Sequence, residues 1–268
     1  MSTAPHPPTA CHNCGAVLRG RFCADCGQQN RPFDPTLGGV VGEVAREISD
    51  LDGRIVRSVQ YLFFSPGFLT TEHFRGRRVV WISPIRLYLV FSVVYFAIVS
   101  LTGVSPLNFN LRITGDNDAE ARQAVQELGF ASEQDMRRTA NEALTTWIPR
   151  AMFVLIPIFG WLLSRVRRGS GHQYPHHLIF SLHVFAAFFG VQALSTGIGY
   201  LAENETVSVL LGIGSVAFAV IYMVVALRTV YGGTVIRALV HTLFVLFFYW
   251  LGAIVVTAVI IVPVVFWR

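Results

Sequence analysis

Apolar residues recur at Leu37, Val41, Val44, Ile48, Leu51, Ile55, Val59 and Leu62, the 3.6-residue stripe of one helix face. The other face carries Glu43, Arg46, Glu47, Asp50, Arg54 and Arg57, with Arg46–Asp50 and Asp50–Arg54 at four-residue spacing. Gly53 can kink or divide this helix, Ser65-Pro66-Gly67 ends it, and Phe68–Arg75 forms one further short helix. Residues 36–76 are therefore read as amphipathic juxtamembrane helices. Two arrangements suit the stripe: a helix lying in a membrane interface with its apolar face down, or one packed on the end of a helical bundle.

Beyond residue 84 the period gives way to long apolar runs. Five are long enough to be read as spans across roughly 30 Å of hydrocarbon: about Ile85 to Gly103, Trp147 to Leu163, Leu178 to Leu201, Val207 to Leu227 and Leu239 to Pro263. The second is the weakest, with 14 uncharged residues between Arg150 and Arg165, and it crosses only if Arg150 snorkels to the interface. Residues 104–146 form the one sizeable polar insertion, acidic overall, with a helix expected from Asp118 to Thr145. Pro157 and Pro263 can kink their helices, while Ala186-x3-Gly190 and Ala193-x3-Gly197 allow close helix approach.

Composition agrees: 53% of residues are hydrophobic and 14% charged, which excludes an ordinary soluble domain. The first ten residues are Pro-rich and polar, read as disordered and unlike a cleavable secretory signal. All 21 basic residues are Arg. GC-rich bacterial codon usage explains this, although Arg also suits phosphate and anionic lipid. Arg placement orients the bundle. Arg75, Arg77, Arg78 and Arg86 precede the first span, Arg165, Arg167 and Arg168 follow the second, and Arg228 and Arg237 lie between the fourth and fifth. The alternate connections are acidic or neutral. The positive-inside rule then puts the amino terminus in the cytoplasm, the carboxyl terminus and the 104–146 insertion outside, in a bacterial inner membrane. A re-entrant second segment would move the carboxyl terminus to the other side.

The most specific chemistry lies near the start. Cys11-x2-Cys14-x8-Cys23-x2-Cys26 supplies four thiolates, the number that tetrahedral zinc takes in closed structural sites. Gly15 and Gly27 let the backbone turn away after each pair. A knuckle head over residues 11–30 is too short to bury a core, so metal must supply its folding free energy. Disulfides are disfavoured in a reducing cytoplasm. Four protein thiolates leave no open position for catalysis, and His12 inside the first knuckle is expected to point to solvent. Arg19, Arg21 and Arg31 lack the aromatic platform of a nucleic-acid surface.

The eight histidines fall on the side assigned to the cytoplasm. His172, His176, His177 and His183 gather at the start of the third span, and His241 sits at similar depth in the fifth. His177, His183 and His241 can form an inner-leaflet polar site for a metal, a proton or a lipid headgroup; neutral imidazoles at the interface, donating to backbone carbonyls between helices, are the favoured explanation.

Cys11 to Gln28, Asp52-Gly-Arg54, Pro66-Gly67, Gly76-Arg77-Arg78, Ser83-Pro84 and the stretch from His177 to His183 together resemble a bacterial group of membrane proteins known only as a domain of unknown function. The resemblance implies architecture and location, not a reaction. The chain is thus expected to be an all-α integral membrane protein with a small zinc-knuckle head. No Ser-His-Asp set, His-Glu-x2-His motif or paired intramembrane carboxylates point to hydrolysis. The expected role is a non-enzymatic scaffold, assembly or regulatory factor, whose head meets a cytoplasmic protein and whose Arg collar meets membrane lipid. A transporter or channel component is the alternative, and a membrane enzyme using the histidines ranks behind both.

Overall fold

A computed structural model of the chain describes residues 10–28, 30, 54–104, 125–127 and 129–266. The expectations for residues 1–9 and 31–53, and for residues 105–124 of the 104–146 insertion, lie outside this range. The described residues form seven helices: α1 (Arg54–Phe64), α2 (Phe68–Phe74), α3 (Pro84–Thr102), α4 (Glu133–Val166), α5 (Tyr174–Ala202), α6 (Glu205–Tyr231) and α7 (Val235–Phe266). Among the described residues there is no strand, only isolated bridging such as Ala10 with Val17. Helices α3 to α7 are each long and apolar enough to cross a membrane.

The helix boundaries follow local chemistry. Ser83 caps α3 by accepting from the Arg86 N–H, Pro84 occupies its first turn, and Gly103 closes it in the left-handed conformation. Asn204 caps α6 through the Val207 N–H at 3.2 Å, so α5 and α6 reverse over two residues. The helix expected from Asp118 to Thr145 differs from the one found. Gly129 at φ 83° breaks it, Ser132 starts α4 by accepting from Asp135, and α4 then runs 34 residues without interruption into the second span. The apolar stretch is therefore part of a helix roughly 51 Å long. Arg150 turns back to the Thr146 carbonyl and stacks over Trp147, while Arg165 stacks over Trp161. These two Arg–Trp pairs mark the ends of the apolar stretch, as interfacial anchors do.

Helix α5 is the centre. It packs on α3, α4 and α6, and α7 closes the ring against α4 and α6. In α5, 67% of the apolar window is buried inside the protein, against 11% in α7. The apolar residues that stay exposed, among them Ile213 and Val216 of α6 and Val240, Phe244 and Phe247 of α7, form an outer face suited to lipid. Tyr88, Tyr95 and Phe96 of α3 gather around Phe189 of α5, and Phe159 and Tyr249 meet Phe185.

Helices α1 and α2 form a hairpin wedged into this bundle beside α5 and α6. The Phe63 ring fills the space where a Cβ at Gly190 of α5 would lie and meets Phe91 of α3 edge-on. Leu62 is buried, and its carbonyl accepts from the Tyr222 hydroxyl of α6 at 2.9 Å. That bond answers a requirement, because the last carbonyls of a buried helix have no partner of their own. Gly67 makes the turn at φ 85°, and a Cβ there would lie 2.9 Å from the Ala226 carbonyl oxygen. Only glycine satisfies both demands. Residues 75–83 return along α1: the Ile82 N–H donates to Ser58, and Arg54 donates to the Val79 carbonyl. Tyr61, Phe68 and Trp81 lock the hairpin and this linker into one aromatic cluster.

Candidate functional site

Two equivalent turns build the head. In the first, the Cys11 N–H donates to the Ala16 carbonyl and the Gly15 N–H to the Cys11 carbonyl; in the second, Cys23 pairs with Gln28 and Gly27 with Cys23 in the same way. Gly15 and Gly27 both have positive φ, so each chain turns away after its second cysteine. Each turn buries its first cysteine, Cys11 and Cys23, and leaves its second less buried. The four sulfurs lie within 4.8 Å of one another, with Cys11–Cys26 at 3.6 Å and Cys14–Cys23 at 3.5 Å. A disulfide would need about 2.05 Å. Four sulfurs about 2.3 Å from one ion stand roughly 3.8 Å apart in a tetrahedron, so the cluster fits a closed metal site. His12 stays outside the cluster, exposed, with its Cβ beside Gly76.

That contact belongs to a joint that sequence reasoning missed. Gln28 donates to the Gly76 carbonyl at 2.8 Å and accepts from the Arg78 N–H at 3.4 Å, so the head rests on the 75–83 linker. Beneath it, Glu72 is buried, with one carboxylate oxygen 3.2 Å from Arg75 and the other 3.0 Å from Arg77. A carboxylate six residues before Arg78, inside an Arg-rich stretch, was the available signal. His73, next to it, is also buried. Desolvation, together with Arg78 and the neighbouring His183 and His176, pushes its pKa well below the usual histidine value. It is held as a neutral ring.

The three histidines expected to share one site are separated by their partners. His183 Nδ1 meets the Thr70 hydroxyl of α2 at 2.9 Å. His177 Nδ1 meets the Tyr231 hydroxyl at 2.8 Å and its ring stacks on that tyrosine. His241 Nδ1 meets Arg167 at 3.3 Å. Arg167 also lies over Tyr231 and donates to the Gly232 carbonyl, joining His177 and His241 indirectly across the ends of α4, α6 and α7. His172 and His176 pack edge-on to each other and to Phe74 or Tyr231. Among the described residues, the four cysteines are the group that could hold a metal ion; the histidines do not converge in that way. Their arrangement knits together the end of the bundle nearest the head.

Residues 52–96 match the model of a family described as a protein of unknown function, DUF3667. The match takes in α1, α2, the linker and the first part of α3, and leaves out the cysteine head. Among curated proteins and among solved structures, nothing matches.

Proposed function

We propose that the chain is a non-enzymatic scaffold or assembly factor of a bacterial inner membrane, whose zinc-holding head recruits a protein partner in the cytoplasm. Arg placement supports that orientation. Arg75, Arg77, Arg78, Arg86, Arg165, Arg167, Arg168, Arg228 and Arg237 all belong to connections or helix ends on the head's side of the bundle. Positive connections are retained in the cytoplasm. In that reducing compartment thiolates bind metal rather than pair, and zinc is the ion that four cysteine sulfurs at this spacing suit best.

The observation that carries the recruiting role is the pair of exposed apolar residues on the head. Val17 is 72% exposed and Phe22 60% exposed, on a unit of about twenty residues that Gln28 holds against the linker. Large apolar side chains on so small a rigid unit are the kind of anchor that protein interfaces use. The test is a Val17→Asp, Phe22→Asp double variant, compared with the parent by in-cell crosslinking after confirming one bound zinc per chain. Loss of specific crosslinked proteins with zinc retained is expected. An unchanged set of crosslinked proteins would defeat the proposal.

A further inference from the structure

Arg167, the C-cap of α4, is buried, and its partners are all neutral. One guanidinium nitrogen lies 3.3 Å from His241 Nδ1 on α7, another donates to the Gly232 carbonyl between α6 and α7 at 3.1 Å, and Cζ lies over the Tyr231 ring. A guanidinium only donates, so His241 Nδ1 must accept, and imidazole accepts only while neutral. A charged ring would aim an N–H at a cation and lose the bond. His241 is half-buried, so protons can reach it. His176 accepts in the same sense at the start of α5, where its Nδ1 takes the Gln173 N–H at 3.2 Å.

This end of the bundle is built to hold one positive charge, not two. The C-terminal dipole of α4 favours the Arg167 cation, whereas His241 and His176 follow the N-termini of α7 and α5, whose dipoles oppose a cation. The titratable and charged groups facing them are Arg237 on α7, Tyr231 on α6, and His172 and His177 around Tyr231. On α2, Phe74 packs against His172 and His176, while the nearby Glu72 has both oxygens engaged by Arg75 and Arg77. Beyond Glu142 the acids of the chain are Glu203 and Glu205, at the α5–α6 reversal on the opposite side.

We infer that the junction of α4, α6 and α7 is an acid-opened latch, closed by Arg167 on neutral His241 and released when that ring takes up a proton. The closed junction needs the neutral ring and the open one does not. Closure is therefore fully favoured above about pH 6.5, where a free histidine is neutral, and is lost as the pH falls below it. This uses neither the metal nor the recruiting role of the head, so the two can fail separately.

Hydrogen exchange of the full chain in detergent micelles, at pH 7.5 and 5.5 and corrected for the intrinsic dependence of exchange on pH, tests it. Backbone amides of residues 163–172 and 228–242 should exchange roughly tenfold faster at the lower pH, the effect of losing one hydrogen bond to a charged group. Residues 198–208, at the far reversal, should keep their rate. His241→Gln still offers an oxygen acceptor to Arg167 and never charges; it should hold the slow rate at both pH values. Arg167→Gln removes the guanidinium and should give the fast rate at both. Equal corrected rates in the parent, equal acceleration of residues 198–208, or acceleration persisting in His241→Gln would overturn the latch.

Discussion

The cysteine head and the α1–α2 hairpin are both short units attached to the bundle, yet opposite forces hold them. The head has almost no apolar interior; its order rests on four sulfurs and on backbone bonds within two turns. The hairpin has no cross-link. Its order rests on burial of Leu62 and Leu69, the Phe63 ring over Gly190, and one hydroxyl from Tyr222. A metal can organise a unit too small for a core, whereas side-chain burial needs a partner surface of the right shape. The head should therefore fail through its chemistry and the hairpin through its neighbours' shapes.

Three perturbations would break or sharpen that contrast. The largest effect is expected from Cys23→Ser with Cys26→Ser, which removes two of four ligands. Metal-coupled folding free energy in comparable small sites is about 10–16 kcal/mol. The double variant should lose any bound metal by elemental analysis and expose residues 10–30 to protease, while helical circular dichroism of the bundle stays unchanged. A bundle that unfolds together with the head would show the two units to be one. Next comes Gly190→Val. The space is filled by Phe63, so overpacking of roughly 1–3 kcal/mol is expected in detergent unfolding. Adding Phe63→Ala should return part of that loss, and strict additivity of the two changes would mean that the contact carries no energy. The smallest effect belongs to the joint between the units. Gln28→Ala removes two hydrogen bonds to the linker, worth about 1 kcal/mol each at most. It should quicken proteolysis of the head without altering metal content, and unchanged proteolysis would mean that the joint does not hold the head.

The same contrast explains what could be read from the chain alone. The cysteine spacing is local chemistry, and the five apolar runs are local composition, so both were visible in one dimension. The α4 boundary was not, because Gly129 and Ser132 cut a charged stretch whose periodicity runs straight through them. The hairpin's seat was hidden for a different reason. Gly190 was recognisable as a place of close approach, but a small residue does not say what approaches, and the visitors proved to be Phe63 of the hairpin together with Phe91 of the first span. The histidines looked alike in sequence; Thr70, Tyr231 and Arg167, residues far away along the chain, sort them into separate roles.

The seat of the hairpin also sets an order of events. Residues 54–74 leave the ribosome well before Gly190, Tyr222 and Ala226, against which they finally rest. A chain made from its amino end must therefore park this amphipathic stretch elsewhere, at the lipid surface or under an insertion factor, until more than a hundred further residues have been threaded. The hairpin part of the segment matching a known family is thus synthesised before the helices that receive it. Variants that slow insertion of α5 or α6 should leave it exposed to proteases and to aggregation during biogenesis.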